Sequence, residues 1–334
     1  MAASDKVGDQ GRRDPADAWF DCACGQRHWG SRGAAGLLVW RGDRVLLQLR
    51  GPRSHHGGSW GLPGGARQTG EPPLAAALRE GREETGLNPA GLRPAWWSIA
   101  DHGGWSYTTI AAEAAADPAL IDPAPAEAGA AKAGGAGAPA GPAPGGDRLI
   151  GGQPNWETSA LAWVARERVA DRQLHPGLAA AWPALEPLIG RRLTVVVDAA
   201  NVVGSRPDGW WRDRAGAAAR LRDRLEAVVA AGLANIWSEQ PNGWWPELVM
   251  VVEGQARGIG QGESVRVVAA PGEGDDEIAA QARRAAAAGG GPVTVVTADK
   301  GLIGRLGAGV GVMRPGELLG LLDRAEGPGQ ERGE

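Results

Sequence analysis

Several residue types are scarce in this 334-residue chain. Lysine occurs only at Lys6, Lys132 and Lys300, phenylalanine and tyrosine occur once each, and cysteine only at Cys22 and Cys24. Two cysteines so close together exclude a disulfide framework. No apolar run reaches the length of a membrane span, and segment 1–19 lacks a hydrophobic signal core. A cytoplasmic protein with no membrane partner is the expectation. The net charge of −4 argues against strong non-specific nucleic-acid binding but leaves room for a local basic patch. Nearly all basic residues are arginine, and Ala and Gly abound, as codon bias in a GC-rich genome produces. Composition is therefore a weak guide to function. The 15 tryptophans supply most of the aromatic packing. The length favours two domains.

The most informative stretch is residues 64–87, GGARQTGEPPLAAALREGREETGL. Gly64 and Gly65 open a loop that passes through Glu71 to Pro72 and Pro73, which suit only a first helical turn. Helix-forming residues come next, and Thr85-Gly86 supplies a stop. On that helix Glu80, Glu83 and Glu84 fall at i, i+3 and i+4 and share a face. Such an oxygen-rich face suits a hard cation shared with substrate phosphates. The alternative is an ordinary solvated acidic face.

The whole spacing resembles the signature of the Nudix hydrolases, G-x5-E-x7-R-E-U-x-E-E-x-G-U, running from Gly65 through Glu71 to Arg79, Glu80, Glu83, Glu84, Gly86 and Leu87. One apolar slot departs, being Gly81, and a glycine there costs a helix about 1 kcal/mol relative to alanine. The resemblance implies an α+β fold, a mixed sheet with flanking helices. It implies Mg2+ or Mn2+ held by Glu80, Glu83 and Glu84, with Arg79 and Glu71 orienting those ligands by a salt bridge. Gly64 and Gly65 would keep the loop backbone close to substrate. One glutamate, or an acid elsewhere in the fold, would activate the water that attacks a nucleoside diphosphate linked to another group.

Around this stretch the order is readable. Residues 1–30 read as a tail with a Cys/His turn. Cys22, Cys24 and His28 offer three zinc ligands and Asp21 a fourth, but the spacing is not that of a zinc ribbon and there is no second cysteine pair. A metal-free packing turn is the expected outcome. Residues 33–50 and 93–112 each read as two strands joined by a turn. His55 and His56 read as solvated loop residues and Trp60 as core. Trp96, Trp97 and Trp105 are candidates for base stacking, with core packing the commoner use of alternating strand residues. Residues 113–154, almost entirely Ala, Gly and Pro, cannot bury enough surface to order themselves. They read as an insertion inside a first domain spanning 31–189.

From 190 to 325 continuous apolar strands alternate with helices, which predicts a parallel sheet covered on both faces. Functional groups in such sheets gather at the carboxyl ends of the strands, where Asp198, Glu253 and Asp299 fall. The pattern D-A-A-N at Asp198, D-x-x-I-A-A at Asp275 or Asp276, and T-A-D at Asp299 resembles the NYN group of PIN-like nucleases, an α/β three-layer fold. That resemblance implies metal held by Asp198, Asp275 and Asp299, with Asp276 adjacent, and Asn201 at the substrate. Single-stranded RNA is the implied partner, met by Arg206, Arg212 and Arg214 and by the Trp210-Trp211 and Trp244-Trp245 pairs. Interdomain packing is the competing use of those tryptophans. Residues 326–334 read as a disordered tail.

The expected function is a metal-dependent pyrophosphohydrolase combined with a ribonuclease. The alternative is a nucleotide-sensing or RNA-binding regulator in which one domain is not catalytic. Oligomeric state is not legible.

Overall fold

A computed structural model of the protein describes residues 14–115, 148–150, 157–207, 209–236 and 241–326. The expected tails and most of the 113–154 segment lie outside the described residues; its first residues end the strand Ser106–Ala114. The chain divides into two compact units, one comprising Met1–Leu92 and Ile99–Pro183, the other Arg93–Ser98 and Ala184–Glu334. No helix among the described residues is long and apolar enough to cross a membrane.

The first unit is built on Ala34–Arg41, AAGLLVWR, which is buried at seven successive positions. A strand so apolar on both faces has to be covered on both. It pairs in parallel with Ser106–Ala114 and antiparallel with Arg44–Arg50 and Gly64–Ala66. Arg44–Arg50 in turn pairs with Thr158–Ala165, giving the mixed sheet the residues predict. The helix Pro73–Thr85 packs on Ala34–Arg41 and Gly64–Ala66. Pro73 sits in its first turn, where a missing N–H costs nothing. Gly86 ends it with φ 75°, its N–H donating to the Arg82 carbonyl at 2.9 Å.

Gly81 is explained by its neighbour. A Cβ there would lie 2.7 Å from Leu37 Cδ2, so Leu37 of the central strand fills the space that an apolar side chain would take. The departure from the signature exchanges which element supplies the packing; it does not leave a gap under the loop.

The second unit carries a five-stranded, all-parallel sheet in the order Val265–Ala269, Glu247–Val252, Thr194–Asp198, Val293–Val296, Val310–Met313. Val196, Val249, Val251, Val293 and Val295 pack with Ile278, Ala279 and Ala282 of the helix Gly274–Ala287. The alternate residues Val195, Val197, Leu248 and Met250 are buried too, so the opposite face is also covered. Relative to chain order the strands run 3-2-1-4-5, which places a switch point between Thr194–Asp198 and Val293–Val296.

The division of the chain differs from the boundary expected near 190. It falls after Pro183, and Arg93–Ser98 clusters with the second unit. There Trp96 pairs with Trp244, its indole N–H donates to the Leu188 carbonyl at 2.9 Å, and Trp97 packs against Gly243 and Trp245. Trp96, Trp244 and Trp245 are buried, so base stacking is not open to them. Trp105 is buried as well, with its indole N–H on the Gly30 carbonyl.

Candidate active site

The helix Pro73–Thr85 and the loop before it assemble one charged network. Arg79 spans it: Nε and Nη2 donate to the two Glu71 oxygens at 2.9 Å each, Nη1 donates to Glu80 at 2.7 Å, and Nη2 also reaches the Ala66 carbonyl. This fork-on-carboxylate geometry is bidentate and charge-assisted. It holds Glu71 below the usual carboxylate range and keeps Arg79 charged. A weaker contact at 3.4 Å links Arg79 to Glu83, which is exposed.

Glu84 lies on the inner side of the same face. It is buried, with 6% of its surface exposed, and its Oε2 accepts from the Gly64 N–H at 2.7 Å. Burial pushes its carboxyl up to about 7, and burial likewise raises Glu80. Gly65 makes the close approach possible: a Cβ there would stand 2.7–2.8 Å from the Glu80 carboxyl atoms. At Gly64 a Cβ would meet the Ala35 carbonyl and Gly36 backbone at 2.5 Å, so Gly64 is required by space, whereas a Cβ at Gly65 would displace the Glu80 carboxyl.

A buried carboxyl and the half-buried one beside it, both with raised affinity for a proton, are groups that a cation would stabilise. Gln48, fully buried beside Glu84, leaves Oε1 without a hydrogen-bond partner while its Nε2 donates to Thr158 Oγ1 at 2.8 Å. The donor set is all oxygen and open on the Glu83 side, so the residues fit Mg2+ or Mn2+, cations that keep several waters.

Several residues near this site carry no signal in the signature. Glu157 faces Arg50, Glu80 and Glu83, and burial raises its carboxyl. It is thus an acid from elsewhere in the fold, and nothing in the low-complexity segment before it announces it. Gln48 was more legible, as a polar residue inside the apolar run RVLLQLR. His175 packs its ring edge-on to His56 at 4.8 Å, and His56 and His55 stand 4.0 Å apart. Burial pulls His175 down to about 4, with Arg50 and the other two histidines adding to it. His55 and His56 are exposed, as expected of loop residues, but the grouping with His175 was not foreseen.

In the second unit Asp198 ends its strand at the switch point. Its Oδ2 accepts from Thr297 Oγ1 at 2.9 Å and its Oδ1 from the Asn201 N–H at 3.0 Å. Asn201 Oδ1 in turn accepts from the Ala298 N–H, tying the ends of the two strands together. Asp299 caps the turn Lys300–Ile303 through the Leu302 N–H. Burial raises Asp198, with Asp275 and Glu253 adding; Asp275 is raised by burial and by Asp299 and Glu253. Asp198, Glu253, Asp275 and Asp299 therefore share one electrostatic neighbourhood. Asp276 is exposed and paired with Arg305, and does not join them. Beside Asn201 and Ala298 an open cleft of about 800 Å³ is lined by Ser205, Arg206 and Arg314. Arg206 is paired with Asp323, Arg214 lies over Trp210, and Trp211 is half exposed.

The family model for the NUDIX domain matches residues 30–128. A putative 8-oxo-dGTP diphosphatase 3 of Mycobacterium tuberculosis H37Rv is 36% identical over 185 residues, which cover 52% of this chain and 70% of that protein. The chain belongs to the Nudix family. A nucleoside triphosphate pyrophosphatase/Nudix hydrolase fusion protein of Bifidobacterium longum is 45% identical over 105 residues, 29% of this chain. Those residues span only 22% of the fusion protein's own length. Among solved structures, the Nudix hydrolase RenU of M. smegmatis is 36% identical, covering 52% of this chain and 94% of that one, with a TM-score of 0.39. The Nudix stretch seen in the sequence lies inside the matched residues, and the strands of the parallel sheet, from Thr194 to Met313, lie beyond them.

Proposed function

We propose that the first unit hydrolyses a nucleoside diphosphate linked to another group, using Mg2+ or Mn2+. The observation that carries this is the Arg79 bridge, which fixes Glu71 and Glu80 while the Gly64 N–H fixes Glu84. When bound, the cation neutralises diphosphate charge and lowers the pKa of a water. The chain's own part is positional. Glu80 and Glu84 present lone pairs toward one space, Glu83 lies at its open edge, and Gly64 and Gly65 let the backbone approach a phosphate. Glu157, outside the Arg79 network, is a further acid with raised affinity for a proton and so suited to take one from water. The named relatives suggest an oxidised purine nucleoside triphosphate as the first substrate to try. A panel of such nucleotides, ordinary NTPs, nucleotide sugars, dinucleotides and capped RNA, scored for pyrophosphate and phosphate release, tests the reading. Release from none of them under Mg2+ or Mn2+ would contradict it.

A second reading concerns the parallel-sheet unit. We propose that it is a PIN-like nuclease of the NYN kind acting on single-stranded RNA, with Asp198, Asp275 and Asp299 toward the metal and Asn201 toward substrate. The support is the raised, Thr297-held Asp198 at the switch point, with Asp275 and Asp299 nearby. Labelled single-stranded RNA incubated with wild type and Asp198→Asn under Mn2+ should be cut only by the former. Equal cleavage would assign it to a contaminant.

A further inference from the structure

The N-terminal turn brings together ligands that the hydrolase chemistry does not use. Trp19–Asp21 and Arg27–Trp29 form an isolated hairpin of three residues a side. An isolated two-stranded hairpin is marginally stable at best in water. Cys22, Cys24 and His28 project from it, and their ligand atoms all lie within 4.8 Å of one another. Cys24 Sγ stands 3.3 Å from His28 Nε2. The edge between sulfur and nitrogen on a tetrahedral zinc is roughly 3.5 Å, given Zn–S of about 2.3 Å and Zn–N of about 2.0–2.1 Å. The contact therefore already has the spacing of two ligands on one ion.

The surroundings fix these groups further. The His28 ring stacks on Trp105, with centroids 4.1 Å apart and planes within 10°. Cys22 is buried against Ala34 and Trp105, and its Sγ lies 3.2 Å from the His102 carbonyl oxygen. The His102 ring stands 4.7 Å from that of His28. Asp21, the fourth ligand suggested by the sequence, turns away and is exposed, pairing with Arg27 at 2.9 Å.

We propose that Cys22, Cys24 and His28 hold a Zn2+ in the N-terminal turn. Two thiolates and one imidazole are ligand types that zinc takes in its protein sites. The ion would tie the turn 22–24 to the strand Arg27–Trp29 and hold the hairpin closed. The N-terminal segment already reaches the Nudix loop, where Asp14 accepts from the Thr69 hydroxyl at 3.1 Å and the Arg67 N–H donates to the Gly33 carbonyl. This assignment is independent of the hydrolase reading, since none of its ligands belongs to the Glu80–Glu84 network.

The test uses the full chain purified without added metal. Elemental analysis should find about one zinc per chain in wild type, and near none in Cys24→Ser or His28→Ala. His102→Ala should retain its zinc, since its ring nitrogens do not join the three ligand atoms. Cobalt exchanged into wild type should give a thiolate-to-metal charge-transfer band, which separates this site from the histidine group His55, His56 and His175. That band remains readable in wild type even where a variant folds poorly. Zinc-free wild type with no such band, zinc retained undiminished in Cys24→Ser, or an intact mass two hydrogens short from a Cys22–Cys24 disulfide would each overturn the proposal.

Discussion

Among single residues, burial and hydrogen bonding sort four carboxylates into different states. Glu71 is held ionised by Arg79, Glu83 is in solvent, and Glu80 and Glu84 are pushed toward the protonated state. The sign of the consequence is fixed. Without metal, Glu84 titrates near 7 in the folded chain against 4.5 ordinarily, so the folded state keeps a proton that the unfolded chain has released. Stability contributed by that proton is present below the ordinary value and is lost as pH rises through about 7. The melting temperature in chelator should fall across that window, and Mg2+ should raise it more at about pH 8 than at about pH 6. Differential scanning fluorimetry at both pH values checks this, and Glu84→Gln should flatten it. His175 runs the other way. Its depressed value of about 4 means that stability falls as pH drops from 6.5 toward that value, a slope that His175→Gln should remove.

Elements decide whether those residues meet. The helix Pro73–Thr85 was legible because proline, helix formers and a terminal glycine come in order, and the spacing of its glutamates needed no tertiary information. Its partner was not legible. Leu37 reaches into the space beside Gly81 from a distant strand, and no local pattern announces such a contact. Gly81→Ala should therefore destabilise the protein by up to about 2 kcal/mol, the overpacking cost of about 1–3 kcal/mol less the gain of about 1 kcal/mol in helix propensity. Urea unfolding measures the net sign. Gly65→Ala differs, because the added methyl would meet the Glu80 carboxyl and not the core. It should cost activity by about 10–100-fold, the range for disturbing groups that orient metal ligands, with little change in urea midpoint. In the second unit four of the five strands were readable to within a residue or two, since each is a short apolar run and three of them close on or beside an acid; the edge strand Val310–Met313, interrupted by Gly311, was not. Their order, and with it the switch point beside Asp198, comes only from the fold.

For the whole molecule, the contacts of the fold cut across the order of the sequence at one segment. Arg93–Ser98 is contiguous with the Nudix strand residues, yet it clusters with the second unit, where it meets Leu188, Gly243, Trp244 and Trp245. Periodicity marks it as a strand and says nothing about its neighbours. A fragment covering 184–326 should in consequence melt lower than the same unit in the full chain, because buried Trp96 is removed and the Leu188 carbonyl loses its donor. Large-to-small changes of buried aromatics typically cost about 3–5 kcal/mol, which sets the scale. Thermal unfolding followed by tryptophan fluorescence compares the two.

Whether the Glu80–Glu84 face is the hydrolytic metal site is decided by steady-state hydrolysis of the best nucleotide in the panel, with wild type and Glu84→Gln compared across a Mg2+ titration. Wild type should show saturable Mg2+ dependence. The variant should lose turnover by at least about 100-fold, beyond the range for disturbing groups that only orient metal ligands. Turnover in Glu84→Gln equal to wild type at every Mg2+ concentration would contradict the assignment.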